Sequence, residues 1–297
     1  MTIWKDYVQP GSVEEAIQQL STATGTRAIV SGGTDLLLDM QQGRHDPVDL
    51  MIDVSEIPEM CELRIEGDHI ILGAGVTHSE IIQNEILNLN AQCVVEGCGL
   101  IGGPQVRNVA TIGGNVAHAL PAGDGTISLL AIGSEAQIAT PDGRLWMPIE
   151  NLFAGPGKTS FDRNSTILVK FKFPIARAGD ASAFYRVMRP QGVAIAILNM
   201  ACWLHALPGG ILDDIRLAAG PAGHRPFRAR KTEDFLRGKK PTPDVLADAA
   251  KVMLTEAQLR TSQHRATAEY RKDLIPVVLN RVFETAYGRS IGEPIVL

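Results

Sequence analysis

One stretch decides how this chain folds: AIVSGGTDLLLDM, residues 28–40. Its first three apolar residues predict a short strand, and the glycine pair after them predicts a tight turn. The following run predicts a helix with Thr34 as its N-cap. A glycine pair at such a corner can direct successive backbone N–H groups into one concavity, at the positive end of a helix dipole. The stretch therefore predicts an anion-binding turn.

Two more paired-glycine turns follow, Ile101-Gly102-Gly103-Pro104 and Thr111-Ile112-Gly113-Gly114-Asn115. A single glycine pair is most often only a tight turn. Several pairs, each next to a predicted helix, suit a long anion such as the pyrophosphate of a dinucleotide. The pattern therefore indicates a nucleotide cofactor.

The two commonest nucleotide motifs are absent from this sequence. The nearest match to a Rossmann fingerprint is residues 73–78, GAGVTH, where a histidine stands in place of the third glycine. The nearest match to a Walker A loop is Gly157-Lys158-Thr159, which lacks the earlier glycine of that motif. We therefore expect a different dinucleotide-binding architecture.

Composition places the chain among ordinary globular proteins. It has 297 residues, of which 45% are hydrophobic and 21% charged, with a net charge of −5. This length allows two domains, and the acidic balance gives no reason to expect nucleic acid or an anionic membrane as a partner. No run approaches the roughly 18 apolar residues of a membrane span. The N-terminus has no signal-peptide pattern, so we expect a cytoplasmic protein.

The four cysteines predict no metal site. Cys61, Cys93, Cys98 and Cys202 form no C-x-x-C pair, and Cys93 and Cys98 lack the continuation of a plant-type iron–sulfur pattern. We interpret all four as small buried apolar residues. A local basic cluster is either a solvated loop or a contact with a partner subunit; it comprises His224, Arg225, Arg228, Arg230 and Lys231.

Helices and strands are predicted in clusters, not in strict alternation, which favours an α+β fold. A capping box formed by Ser12 and Glu15 begins the first helix. The predicted strands are 28–30, 48–54, 70–75, 136–140, 144–147, 166–173, 182–187, 193–204 and 212–219. The last helix is predicted over 266–287, ending at Gly288, with a kink or division at Pro276. The polar segment 175–181 is the predicted domain boundary.

Six stretches of this sequence resemble the flavin subunit of the molybdenum hydroxylases, which is the medium chain of bacterial xanthine dehydrogenases and carbon monoxide dehydrogenases. The resemblance rests on residues 7–20, 28–40, 101–125, 152–161, 217–236 and 260–286. It implies a vanillyl-alcohol-oxidase/PCMH-type FAD-binding domain of two α/β subdomains, 1–55 and 56–177. A C-terminal α+β domain of the CO dehydrogenase flavoprotein type, 178–297, is implied to follow.

The resemblance also implies which residues hold FAD, non-covalently. The first turn would bind the pyrophosphate, residues 111–115, called the second turn from here on, would act as a clamp with His118 close by, and Asp124 would contact cofactor hydroxyls. Asp124 alone could equally be a helix N-cap. Apolar side chains of Ile101 and Leu168 would lie near the flavin or adenine rings, and Arg107 is expected to be structural. The implied set is Ile29, Val30, Ser31, Gly32, Gly33, Thr34, Asp35, Leu36, Ile101, Thr111, Gly113, Gly114, Asn115, His118, Asp124, Leu168, Tyr185 and Arg186.

One position departs from the family pattern. Relatives often carry a lysine near the flavin in the segment that resembles Ala183-Phe184-Tyr185-Arg186, and no lysine is present here. Either Tyr185 or Arg186 takes its place. A cation near the flavin tunes its potential, so the departure leaves the electron acceptor open between NAD and another molecule.

The resemblance implies an electron-transfer subunit with no catalytic acid, base or nucleophile of its own. Electrons would come from [2Fe–2S] clusters of a small subunit, after oxidation of a substrate at the molybdenum cofactor of a large subunit. The implied assembly is a dimer of heterotrimers. The substrate class stays open among purines, carbon monoxide, N-heteroaromatics and aldehydes. The alternatives are a stand-alone FAD-dependent oxidase and a non-redox nucleotide-binding regulatory module.

Overall fold

The computed structural model describes residues 3–190, 195–263 and 265–292. Within these ranges the strands form four sheets, with most of the helices between the strands of the second sheet or after the third. The predicted α+β class is confirmed.

A parallel three-stranded sheet begins the chain. Its spatial order is β1 (Trp4–Val8), β3 (Val48–Asp53) and β2 (Arg27–Val30). Helices α1 (Val13–Thr22) and α2 (Leu36–Gln41) make the crossovers that parallel neighbours require. Ser12 caps α1 as predicted, with its hydroxyl accepting a hydrogen bond from the Glu15 N–H at 3.1 Å. Strand β1 was not predicted, because three of its five residues are exposed and polar or amphipathic, without apolar alternation.

The second sheet is antiparallel and has five strands. In spatial order they are β4 (Leu63–Glu66), β5 (His69–Gly73), β10 (Ile167–Pro174), β6 (Glu135–Thr140) and β7 (Gly143–Pro148). The predicted hairpin at Pro141-Asp142-Gly143 joins β6 to β7. Strands β8 (Phe153–Gly155) and β9 (Lys158–Thr159) form a separate two-stranded ribbon.

Six short helices lie between β5 and β6 in the chain. They are α3 (His78–Gln83), α4 (Glu85–Asn90), α5 (Gln92–Gly99), α6 (Pro104–Arg107), α7 (Ile112–Ala117) and α8 (Asp124–Ala131). Thr77 and Glu80 form a capping box at the start of α3, which accounts for its beginning at that point. This helical segment contains the glycine turn at residues 101–104 and the second turn, residues 111–115.

The third sheet is antiparallel and follows the predicted boundary segment. Its strands, in order, are β11 (Asp180–Val187), β12 (Leu198–Ala206), β13 (Leu212–Gly220) and β14 (Phe227–Arg228). Helices α9 (Arg230–Leu236), α10 (Pro243–Glu256) and α11 (Ala268–Ile291) complete it. The predicted start of the middle strand, at 193–194, lies outside the described residues. The predicted domain boundaries at 55 and 177 stay predictions.

The prediction for the last helix was wrong at its end and for a division at Pro276, whereas a kink at Pro276 stays a prediction. Helix α11 is one continuous element that passes both Pro276 and Gly288 and ends at Gly292, whose φ is 74°. Proline removes one hydrogen bond from the helix, but the buried face of α11 packs along β11 and β12. Burial of that face outweighs the local propensities.

The third sheet is buried on both faces. Phe184, Ala201 and Ala218 pack into the core beneath the second sheet, whereas Ala183 and Cys202 pack into the core beneath α11. Because side chains alternate along a strand, β11, β12 and β13 each contribute to both cores. The sheet thereby joins the core beneath the second sheet to the C-terminal helices, and it presents Arg186 on the same face as Phe184.

We expect Phe171→Ala to destabilise the protein by about 3–5 kcal/mol, because Phe171 is fully buried on β10, the central strand of the second sheet. The matched control is Ile65→Ala on the edge strand β4, where the side chain is 50% exposed. That change should cost no more than about 0.5 kcal/mol. Denaturant unfolding of both variants measures the difference, and equal losses would contradict this packing.

Candidate functional site

The first glycine turn is pressed against the chain that leads into the second. A Cβ atom on Gly32 would lie 2.0 Å from the carbonyl oxygen of Val109, so no other residue can occupy this position without displacing backbone. Gly33 has a φ of 67°, in the left-handed region that favours glycine. The paired glycines therefore serve a close backbone approach and a turn.

The same turn exposes a row of backbone donors. In the ranges that the structure describes, no group accepts a hydrogen bond from the N–H of Gly32, Gly33 or Thr34. The buried Ser31 hydroxyl oxygen also has no hydrogen-bond partner among the described residues. The predicted cap was wrong by one residue: Asp35 is the N-cap of α2, and its side chain makes no capping hydrogen bond. Unpartnered donors at a helix start form an anion-binding nest.

The second turn is held mainly by protein contacts. Thr111 caps α7 by accepting from the Gly114 N–H at 3.1 Å, and the Gly113 N–H donates to the Ala74 carbonyl at 2.8 Å. Asn115 Oδ1 accepts from the N–H and the hydroxyl of Thr126, each at 3.0 Å. The Asn115 amide nitrogen, in contrast, has no partner among the described residues, so it remains available to a ligand.

A side-chain contact links the two turns. His118, just after α7, lies with its Nδ1 3.4 Å from a carboxylate oxygen of Asp35. The hydrogen bond from His118 lowers the pKa of Asp35, against the opposing effect of burial. The structure therefore brings the predicted first turn, the second turn and His118 into one site.

Ile101 and Leu168 border this region through the backbone. Arg107 donates to the carbonyls of Ile101 and Gly102 at 3.0 and 2.9 Å, which gives Arg107 the structural role predicted for it. Leu168, nearly buried, precedes Val169, whose carbonyl accepts from the Ala74 N–H at 2.9 Å. Ala74 in turn holds Gly113, so β10 supports the second turn directly.

Asp124 lies in a buried junction between the helical segment and the third sheet. It is the first residue of α8, after the N-cap Gly123, so the N-cap alternative for Asp124 was wrong. Its carboxylate accepts from Asn199 Nδ2 at 2.6 Å and forms a short ion pair with Arg186. Burial raises the pKa of Asp124, while Arg186 and Asn199 oppose that rise. Contact of Asp124 with a cofactor stays a prediction.

Tyr185 and Arg186 point to opposite faces of the third sheet. Arg186 is on the Phe184 face, where it reaches Asp124 and donates to the Leu100 carbonyl at 2.6 Å, next to Ile101. Tyr185 alternates with it and is 39% exposed. Arg186 is thus the residue that contacts the predicted site region, and its charge is already paired.

His78 is a residue of this region that the sequence did not single out. It begins α3 and is almost completely buried. Its backbone N–H donates to the carbonyl of Ala110, the residue just before Thr111, at 3.0 Å. Burial lowers the pKa of His78 to about 4, with a smaller contribution from Arg107. Within the part of the chain that the structure describes, its ring Nδ1 has no hydrogen-bond partner. The only signal in the sequence was the histidine in place of a Rossmann glycine.

The chemistry of these groups suits FAD. The turn at Gly32 offers unpartnered donors and no Cβ bulk to a pyrophosphate, and the orphaned Ser31 hydroxyl lies beside them. Across the described residues, no group of three or more His, Cys, Asp or Glu side chains could hold a metal ion. None of the helices in those ranges has the length and apolar character to cross a membrane.

Comparison with known proteins agrees with this chemistry. Residues 3–176 match the family described as the FAD binding domain in molybdopterin dehydrogenase, and residues 183–286 match the CO dehydrogenase flavoprotein C-terminal domain. The first match covers more than half of the chain, which therefore belongs to this family of FAD-binding domains. The chain is an FAD-binding medium subunit of the molybdenum hydroxylases, which are oxidoreductases.

Individual relatives align over almost the whole chain. The xanthine dehydrogenase FAD-binding subunit of Escherichia coli O157:H7 is 27% identical, with 97% of each chain covered. The nicotine 6-hydroxylase medium subunit of Paenarthrobacter nicotinovorans is 28% identical, with 96% of this chain and 98% of the relative covered.

A solved structure with the same fold is carbon monoxide dehydrogenase from Hydrogenophaga pseudoflava, in a form that lacks the Mo-pyranopterin moiety of its cofactor. It superimposes with a TM-score of 0.90 at 27% identity, covering 96% of this chain and 97% of that one. This likeness confirms an FAD-binding domain followed by a C-terminal α+β domain.

We expect Gly32→Ala to destabilise the protein by about 1–3 kcal/mol, since the new methyl group overlaps the Val109 carbonyl. FAD affinity should fall at least about tenfold, because the donors of the turn are displaced. Gly99→Ala is the matched control, since a Cβ there meets nothing within 4 Å. Flavin content and thermal unfolding test both variants, and full flavin retention by Gly32→Ala would contradict this assignment.

Acid should destabilise the fold through His78. Its pKa rises from about 4 when folded to the ordinary 6.5 when unfolded, so only the unfolded chain binds a proton between these values. Stability should therefore fall by up to about 3 kcal/mol as the pH drops from 6.5 to 4. The unfolding free energy of wild type should fall relative to that of His78→Gln as the pH drops across this window. His45→Gln, at an exposed position, should leave the wild-type profile unchanged.

Proposed function

We propose that this chain is the electron-transfer subunit of a molybdenum-containing hydroxylase or dehydrogenase. It receives electrons from [2Fe–2S] clusters of a small partner subunit and passes them to an external acceptor such as NAD. The observation that carries the proposal is the turn at Gly32 and Gly33, whose N–H groups have no acceptor in the described part of the chain. Such a turn, in a chain of this family, is suited to the pyrophosphate of FAD.

The predicted site residues divide by the part of the cofactor that they would bind. The N–H groups of Gly32, Gly33 and Thr34 bind the pyrophosphate, supported by the Ser31 hydroxyl. Asn115 donates its free amide nitrogen to a phosphate or a ribityl hydroxyl. The remaining backbone of the first turn, from Ile29 to Leu36, fixes this geometry, because Val30 and Leu36 pack in the core of the first sheet.

The second part of the site lies at the buried junction. Asp124 accepts a hydrogen bond from a cofactor hydroxyl through a lone pair not used by Asn199 or Arg186. Ile101 and Leu168 contact the ring systems. Arg186 takes the position of the family's lysine, but its ion pair with Asp124 leaves less free positive charge than an unpaired lysine would supply.

Bound FAD supplies the redox chemistry, because its ring system accepts and releases electrons singly or in pairs. The chain itself needs no nucleophile or general base. Its residues position the ring system between a partner's cluster and the acceptor, and they exclude water from the buried side.

The proposed partners are an iron–sulfur small subunit and a molybdenum-binding large subunit, assembled as a dimer of heterotrimers. The names of the relatives support several substrate classes, so the substrate is set on the large subunit. The four cysteines are free thiols, which suits the reducing cytoplasm. Cys93, Cys98 and Cys202 are buried as predicted, but the prediction was wrong for Cys61, which is exposed. Four residues of the basic cluster line a groove beside Phe153: His224, Arg225, Arg228 and Arg230. Two of these arginines are already in ion pairs, Arg228 with Glu233 and Arg230 with Glu150.

The test is isolation of the tagged chain from its host, followed by analysis of flavin, iron, molybdenum and co-isolated polypeptides. We expect FAD in an equimolar amount, together with both metals and two further polypeptides. Anaerobic addition of NADH to the complex should bleach the flavin absorption if NAD is the acceptor. Persistence of the absorption would overturn the NAD assignment alone.

Other outcomes would replace the proposal. A single flavin-containing polypeptide that turns over without metals would be a stand-alone oxidase. A colourless chain that cannot be loaded with FAD would be a non-redox nucleotide-binding module. The Gly99→Ala variant should behave as wild type, whereas Gly32→Ala should lose flavin.

A further inference from the structure

The groove beside Phe153 crosses the boundary between the two matched domains. Its volume is about 620 Å³, which is in the range of sites that hold a small molecule or a short peptide segment. One wall, at Phe153 and Ala154, lies within the match to the FAD-binding domain. The other wall, the loop 222–228, lies within the match to the C-terminal domain. A molecule bound in the groove would therefore contact both domains.

The loop wall is fixed at both of its ends. Its first residue, Ala222, is fully buried, and the Ala222 carbonyl accepts a hydrogen bond from the Gln258 N–H at 2.8 Å. At the other end the loop becomes strand β14, which pairs with β13. Between these ends, His224 and Arg225 are exposed. Both side chains are thus presented on a loop that needs little further ordering when a partner binds.

Both carboxylates that line the groove already have partners within the chain. Glu150 pairs with Arg230 at 2.7 Å. The Glu256 carboxylate accepts hydrogen bonds from the N–H groups of Lys231 and Thr232, at 3.0 and 2.9 Å, at the start of α9. Neither carboxylate is therefore left to neutralise a further cation in the groove.

Arg225 is the lining cation without a counter-charge. It donates to the Phe153 carbonyl over 3.5 Å, and no carboxylate in the ranges 3–190, 195–263 and 265–292 forms an ion pair with it. The exposed Lys231 follows the lining residue Arg230, and its ammonium group has no ion pair in those ranges either. The whole chain has a net charge of −5, so this groove is locally positive on an acidic protein. Such a patch attracts negatively charged groups.

Two observations favour a protein segment over a small anion as the occupant. Asn151 and Gln258 line the groove with exposed amide side chains, which can donate to and accept from a peptide backbone. Arg225 is exposed, so a small anion bound to it would stay hydrated and screened by salt. A segment that covers the groove would instead exclude water from the ion pair and strengthen it.

We propose that this groove binds an acidic segment of a partner subunit, with one carboxylate of the segment paired with Arg225 and another close to Lys231. The inference rests on the proposed function, because it requires that the chain has partner subunits. It assigns the basic cluster to a subunit contact, which is one of the two alternatives that the sequence left open. The contact lies on the surface and needs none of the residues predicted to hold FAD.

Charge reversal at Arg225 tests the contact in the isolated complex. In Arg225→Glu, the apparent dissociation constant of a partner subunit should rise at least about tenfold, because attraction becomes repulsion. Dilution of the complex at several chloride concentrations, followed by analytical ultracentrifugation, measures this constant, and the wild-type value should rise with salt. The matched control is Arg281→Glu, the same change at an exposed position of α11, which should keep the wild-type affinity. Flavin content, measured in the same samples, should be equal in all three proteins.

A zero-length cross-link identifies the segment that occupies the groove. A carbodiimide joins carboxylates to amines that are in contact, so Lys231 should be linked to an Asp or Glu of the partner subunit. Mass spectrometry of the linked peptides locates that residue and shows which subunit supplies it. The yield of this link should fall in Arg225→Glu and stay unchanged in Arg281→Glu.

The outcomes separate this inference from the proposed function. A wild-type complex with both partners, unchanged affinity in Arg225→Glu and no link from Lys231 would overturn the inference alone. A wild-type chain that brings down no partner polypeptide would overturn both. A rise of the unfolding midpoint in inorganic phosphate that Arg225→Glu abolishes, with partner affinity unchanged, would replace the segment by a small anion.

Discussion

The close approach of Gly32 to the Val109 carbonyl is the contact on which the rest of the site depends. It brings the end of the parallel sheet against the chain that enters α7, with backbone on backbone and no side chain between them. The unpartnered N–H groups of the first turn, the cap at Thr111 and the contact of His118 with Asp35 all lie around it. A fixed distance between the two turns matters because the two phosphates of a dinucleotide are a nearly fixed distance apart, so donors that bind both must themselves be held in place.

Much of this could be predicted from the sequence because the signals were local. The strand, turn and helix around Gly32, the cap of α1 at Ser12, and the hairpin at Pro141-Asp142-Gly143 each depend on neighbouring residues. The family resemblance then supplied the fold class and the cofactor, both of which the comparisons confirm, whereas the domain boundaries stay predictions. The particular residues predicted to contact FAD remain predictions, although the structure brings those of the two turns together.

What the sequence could not predict depends on contacts between distant residues. The passage of α11 through Pro276 and Gly288 follows from burial against β11 and β12, which outweighs local propensity. The choice between Tyr185 and Arg186 depends on which face of β11 packs against the core beneath the second sheet. The two partners of Asp124 come from 62 and 75 residues further along the chain. The burial of His78 likewise depends on the packing of α3 beside Ala110, which no local pattern encodes.

The ion pair between Asp124 and Arg186 has a consequence for how relatives of this chain can diverge. Each group is buried, and loss of one leaves the other charged and uncompensated in the interior, at a cost that few folds can tolerate. The two positions are therefore free to change only as a pair, for example to a neutral couple of similar volume. Across an alignment of this lineage they should covary, although one lies at the start of a helix and the other in a different sheet, and that statistical trace would record the junction between the two domains without any structure.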